Sequence, residues 1–213
     1  MGWPVLYYFT RERELLRGYF HTFLVLIFSG GTLICKNLSN NFFHIGLVYI
    51  TQHYFFESIY HIFKFESLSK TLTLHHVVSG LLAVNLLKSD LSIQLIRKMS
   101  CLIFLFELPN LTGNLVRMSK FPEIYNHYLP LHMNRTQYQI WSSWIFIFCR
   151  GIVGIPLISY WFLYQPDNSL NLETDFYSSM IIRGCWIFQI LLNLKWSWSL
   201  FQILHYQWES SNF

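Results

Sequence analysis

Apolar residues run along the chain in six long stretches: Tyr19–Cys35, Phe42–Phe63, Leu72–Leu87, Met99–Val116, Ile140–Tyr164 and Phe176–Leu204. Their centres are apolar, although each carries some polar positions. A bilayer core of ~30 Å needs about 20 apolar residues in a helix. The stretches therefore predict six transmembrane helices, the third short and the sixth long. The connections are mostly brief. The longest, Arg117–Gln139, holds Pro122, Asn126, Pro130 and Asn134, and Pro166, Asp167, Asn168 and Asn171 mark the last turn, all of it loop chemistry. No internal repeat or low-complexity stretch is present.

Composition supports that pattern. Hydrophobic residues make up 53% of the 213 positions and charged residues only 12%, about half the roughly 25% usual in soluble domains. Mean hydropathy is +0.33. A soluble helical protein would not need apolar runs of this length, and so much buriable surface excludes disorder. The net charge of +4 comes without a basic tract, which argues against nucleic acid as a partner. The start, Met1-Gly2-Trp3-Pro4, reads neither as a signal peptide nor, with Leu6 at the sixth position, as a myristoylation site.

Lys and Arg counts give an orientation. Six spans put both termini on one side, which collects Arg11, Arg13, Arg17, Lys64, Lys70, Arg117, Lys120 and Arg135, against Lys36, Lys88, Arg97 and Lys98 on the other. This excess of eight over four predicts cytosolic termini. The expected layout is a cytosolic segment over 1–18, a membrane domain over 19–205 and a tail over 206–213. The cysteines, Cys35, Cys101, Cys149 and Cys185, fall within spans and suggest neither a disulfide framework nor a zinc site.

An ionisable residue inside a span costs several kcal/mol unless paired, so it marks a site by default. The candidates are Glu57, His75, His76, Glu107, Arg150, Arg183 and Lys195, with Asn193 beside the last. At ~1.5 Å of rise per residue, His75 and His76 lie roughly 5 Å below the predicted cytosolic boundary, and Glu57, Glu107 and Arg150 roughly 10–15 Å below it. Asn193 is slightly deeper. Polar groups from five spans thus share one half of the bilayer. They mark a site, or serve as structural ion pairs such as Glu107 with Arg150 binding the bundle together, and the two readings are compatible.

His75 and His76 are adjacent, hence ~100° apart on a helix. Both can border one ligand only by straddling the edge of a cavity. A neutral imidazole there accepts a proton or an acyl group, whereas two headgroup-solvated histidines are the plainer reading. A metal site is not expected: position 72 is Leu, so H-x-x-H-H fails, and no further cluster completes a set with His53 and His61. Pro109 and Pro156 each remove a backbone N–H within or at the edge of a span, predicting kinks in spans four and five that open a cavity between them. Gly151 and Gly154 allow close helix approach beside the second kink.

Read in order, these residues resemble a TLC domain, the membrane domain shared by the translocating-chain-associating protein, the longevity-assurance ceramide synthases and the ceroid lipofuscinosis membrane protein. Tyr54-Phe55-Phe56-Glu57 resembles the span-two motif, with Glu where Asp is usual. Leu74-His75-His76 resembles the double histidine of the next span. Glu107-Leu108-Pro109-Asn110 through Asn114 resembles the Glu-Leu-Ser-x-Pro-x-x-Asn segment, shortened between Glu and Pro. Arg150 with Pro156 and Leu192-Asn193-Leu194-Lys195-Trp196 resemble the closing motifs. The paired aspartates that follow the His pair in ceramide synthases are missing, since Val77–Val116 holds only Asp90. The likeness is therefore to the TLC-domain-containing branch.

The resemblance implies an endomembrane protein, in the endoplasmic reticulum or a related membrane, acting in lipid homeostasis. The expected architecture is an all-α, six-span bundle with a kinked-helix cavity open towards the cytosolic half. Its Leu-, Ile- and Phe-rich walls suit a long acyl chain, with Glu57, Glu107, Asn110, Asn114, Arg150 and Asn193 as the polar network. The alternative is a ceramide-synthase-like N-acyltransferase using His75 and His76 as catalytic residues, with acyl-CoA as co-substrate and a sphingoid base as acceptor. No other cofactor is expected, and the expected partners are a membrane lipid or fatty acyl chain and the bilayer itself.

Overall fold

A computed structural model describes residues 14–64, 70–88, 91–118, 135–164 and 176–211. The turn expected at 166–171, most of the loop predicted between spans four and five, and the residues before Glu14 lie outside the described residues.

All six apolar stretches fall in helices, and the described residues contain no strand. Helix α1 is Glu14–Ile34, followed by a 3₁₀ turn at Lys36–Leu38 and by α2, Ser39–Lys64. Helices α3 and α4 are Lys70–Lys88 and Ile93–Met118. The next rod, α5, opens as Arg135–Phe146, widens to a π-helix over Ile147–Gly154, passes through an α turn at Ile155–Ile158 and ends in a second π segment, Ser159–Tyr164. Helix α6 is Phe176–Ser211. Two helical stretches, Ile93–Val116 and Thr136–Trp161, are long and apolar enough to cross a membrane by themselves. A third passes if α1 and α2, bent by 114° across Cys35, act together.

Neighbouring helices form a ring in the order α1, α2, α3, α6, α5, α4, closing back onto α1, and α2 also touches α4. Val25, Phe43, Leu47, Leu86, Ile96, Met99, Leu102, Ile158 and Ile182 fill one end, all buried. Ser39 ties the first hairpin, its Oγ donating to the Thr32 carbonyl at 2.8 Å and the Cys35 carbonyl at 3.0 Å. The outer surface is apolar: Phe55, Phe148, Ile152, Leu191 and Trp198 are each more than half exposed.

The two prolines behave differently. Helix α4 runs unbroken through Pro109, which is buried. Pro156 is exposed, in the short α turn between the two π segments. It has no N–H to return to the preceding turn. The ladder before it is shifted by one residue, with the Ile155 N–H donating to the Arg150 carbonyl. The irregularity expected at Pro156 is therefore a π-helix, and Arg150 lies buried within it.

Gly154 sits where α5 meets α4. A Cβ there would strike the Phe106 ring and come within 2.8 Å of the Cys149 carbonyl oxygen. Backbone cannot yield as a flexible side chain would, so Gly154→Ala is expected to cost about 1–3 kcal/mol through overpacking. Gly184, with nothing within 4 Å, is the control: Gly184→Ala should gain up to about 1 kcal/mol from helix propensity. Thermal melts of the two variants in detergent check the contrast.

Candidate functional site: a polar chamber beside an apolar limb

The other end of the ring holds the polar residues. A chamber of about 400 Å³ is bordered by His21 of α1, His53, Tyr54 and Glu57 of α2, and His75 and His76 of α3. Glu107, Pro109, Asn110 and Asn114 of α4, Ser142 and Arg150 of α5, and Trp196 of α6 complete it. Every helix of the ring contributes. A second, apolar pocket of about 70 Å³, the limb, lies beside it between Leu47, Ile50, Leu82, Ala83, Leu86, Met99 and Ile103. Tyr54, His75, Glu107 and Arg150 border both compartments.

Arg150 organises this end and is 3% exposed. Pro109 offers no N–H to the Leu105 carbonyl, and its ring crowds the turn before it. In that turn the Phe106 carbonyl accepts from both Nε, at 2.9 Å, and Nη2 of Arg150. Nη2 also donates to Asn110 Oδ1 at 2.9 Å, and Nη1 to Asn193 Oδ1 at 3.2 Å. The guanidinium lies 4.7 Å from the Phe146 ring centre, with Phe106 and Trp196 slightly farther, at cation–π distance. Five N–H groups in a planar fork suit several fixed acceptors at once.

The link to Glu107 is indirect. Asn110 Nδ2 donates to Glu107 Oε2 at 2.9 Å while its Oδ1 accepts from Arg150. The Glu107–Arg150 ion pair, one of the alternative readings, gives way to a bridge in which one amide presents its acceptor to the cation and its donor to the anion. Asn193 is fully buried behind the chamber wall, where its Nδ2 donates to the Gln189 carbonyl at 2.7 Å. Asn114 ties α4 to α1 through Thr22 Oγ1 at 3.4 Å.

His75 and His76 both border the chamber, their ring centres 5.9 Å apart, and His75 alone also reaches the limb. His75 Nδ1 lies 3.4 Å from Ser79 Oγ and 3.4 Å from Gln189 Nε2. Glu57 is buried at the chamber wall.

The structure thus gathers Glu57, His75, His76, Pro109, Glu107, Asn110, Asn114 and Arg150 around one space, with Asn193 behind it. Pro156 is not at the cavity, and Arg183 and Lys195 are exposed. Several polar chamber or limb residues fell outside the sequence-based set, among them His21, His53, Ser79 and Gln189. His21 and His53 stack with ring centres 3.4 Å apart, and both sit in apolar spans where a histidine is itself a signal. Ser79 and Gln189 carry no such mark, because uncharged polar residues are common in helices. Among the described residues no group of three His, Cys, Asp or Glu side chains is arranged to hold a metal ion.

Compared with known proteins, the chain matches no family model, no curated protein and no solved structure.

Proposed function

We propose that this chain is a multi-pass membrane protein that binds an acyl lipid, its tail in the apolar limb and its polar head in the chamber, and that it acts in lipid homeostasis in the manner the TLC-like motifs imply. The observation that carries this reading is the wall of Tyr54, His75, Glu107 and Arg150 common to both compartments. An amphiphile is the ligand class whose own polarity changes over such a short distance.

Six spans are favoured by length. At 1.5 Å per residue the 21-residue α1 extends about 31 Å, the 19-residue α3 about 28 Å, and the 26-residue α2 and α4 about 39 Å, against a hydrocarbon core of ~30 Å. The apolar outer surface fits lipid contact. Arg183 and Lys195, about 18 Å apart along α6, have stems long enough to snorkel to opposite interfaces. With cytosolic termini, the chamber lies in the cytosolic half of an endomembrane, that of the endoplasmic reticulum in the closest reading of the motifs.

A second reading is an acyltransferase, favoured by two imidazoles facing one chamber beside the limb. An amine would attack the carbonyl carbon of an acyl-CoA thioester. Its proton would pass to an imidazole, the C–S bond would break, and the thiolate would leave as the thiol after protonation.

The test is native mass spectrometry of protein extracted in a mild detergent. A co-purifying acyl lipid is expected. Ala83, 2% exposed on the limb wall, sets its capacity: Ala83→Leu should shift the bound lipids to shorter chains, and Ile103→Ala to longer ones. Lipid-free protein, or a chain-length distribution that ignores both variants, would overturn the binding reading. Release of thiol from acyl-CoA with a long-chain amine decides for the enzyme, and its absence with every amine tried decides against it.

A further inference from the structure

Two polar contacts of the His75 ring, to Ser79 and to Gln189, fall on one nitrogen, Nδ1. Gln189 comes from α6 and Ser79 from the next turn of α3, both bordering the apolar limb. Gln189 Nε2 donates to Ser79 Oγ at 2.8 Å and lies 3.4 Å from His75 Nδ1. Ser79 Oγ lies 3.4 Å from the same atom. Gln189 is 4% exposed, and its backbone is fixed through Asn193, whose amide meets both the Gln189 carbonyl and Arg150. The Arg150 cluster and the His75 cluster are therefore joined through one turn of α6.

An amide nitrogen only donates, and a neutral imidazole has one donor and one acceptor nitrogen. The hydrogen bond made by one ring nitrogen sets where the proton sits on the other. Facing the Gln189 amide N–H, Nδ1 is the acceptor, so the ring proton sits on Nε2. His75 borders the chamber as well as the limb, so in this tautomer Nε2–H is the polar hydrogen the ring can offer a ligand.

We infer that Gln189 is a positioning residue that holds His75 in its Nε2–H form, and that His75 thereby donates a hydrogen bond to the acyl carbonyl oxygen of the ligand at the mouth of the limb. The ligand half of this inference rests on the lipid-binding reading; the tautomer does not. An ester, amide or thioester places its carbonyl where tail ends and head begins, which is the position His75 occupies between the compartments. An imidazole in this state has no free lone pair in the cavity. His75 is then neither nucleophile nor base. In the acyltransferase reading it polarises the carbonyl, and His76 is the imidazole left to take the amine proton.

The test uses the full chain in phosphatidylcholine nanodiscs with ¹⁵N-labelled histidine. The His75 signals are identified by their loss in His75→Asn. Protonated and bare ring nitrogens have well-separated shifts, and a bare Nδ1 with a protonated Nε2 is expected. Gln189→Glu places an acceptor opposite Nδ1 and should move the proton to Nδ1. Should the buried carboxylate prevent folding, Gln189→Met removes the donor at similar volume and should give a mixture of both tautomers. An Nδ1–H form in the unsubstituted protein, or an Nε2–H form that survives either substitution unchanged, overturns the inference.

The ligand half is read with a palmitoyl lysophosphatidylcholine and its ether analogue, which lacks the carbonyl. One hydrogen bond predicts a preference for the ester of about 3–10-fold, lost in Gln189→Glu. Equal binding of ester and ether to the Nε2–H protein overturns the donor role. Binding of neither lipid overturns the lipid reading along with it, while the tautomer result stands on its own spectrum.

Discussion

Arg150→Leu is expected to abolish stable folding, at a cost of about 3–5 kcal/mol, as when one member of a buried charged network is removed. Leucine fills the space but supplies no donors. The Phe106 carbonyl, Asn110 Oδ1 and Asn193 Oδ1 would each lose the hydrogen bond they receive from the guanidinium, and a buried polar group without its partner costs about 1–3 kcal/mol. The aromatic cluster of Phe106, Phe146 and Trp196 would lose its central cation. Arg150→Lys should recover only part of the loss, because an ammonium keeps the charge but cannot reach three fixed acceptors in a planar fork. The readout is the monodisperse fraction after heating in detergent. Wild-type survival of Arg150→Leu, coupled with lost lipid binding, would mean that the arginine serves the ligand rather than the fold.

Asn110→Leu is expected to cost on the order of 3 kcal/mol, since hydrogen bonds to charged groups are worth more than neutral ones. It removes the donor to Glu107 Oε2 and an acceptor from Arg150 Nη2 in one step. The outcome separates two arrangements of the same charges. If Glu107 and Arg150 were held by direct contact, deleting the amide between them would change stability little. With the amide as the link, a cycle combining Asn110→Leu with Glu107→Gln should be non-additive by about 0.5–3 kcal/mol, the range for residues in one network. Additive losses would remove Asn110 from that role.

Glu57, His75, Glu107 and Arg150 were grouped by their distance along separate apolar runs, and they line one chamber because rise per residue converts sequence position into height in a bundle. What height could not give is direction around each helix. Asn193 has a similar height but lies outside the chamber lining, and Pro156 is exposed and away from the cavity. Gln189 and Ser79 are ordinary polar residues in sequence. Only the packing of α6 against α3 places that amide beside the His75 ring.

The sequence by itself determined that the chain is helical, where the six helices lie, and that costly polar groups gather at one level, because apolar run length and axial rise are local, one-dimensional properties. The tertiary structure decided which groups meet: that Arg150 spends its donors on the Phe106 carbonyl and on two asparagine amides, that Glu107 is reached through Asn110, and that the polar chamber shares a wall with an apolar limb. Those outcomes depend on rotation about each helix axis and on the order of helices around the ring, to which residue spacing within a single helix is blind.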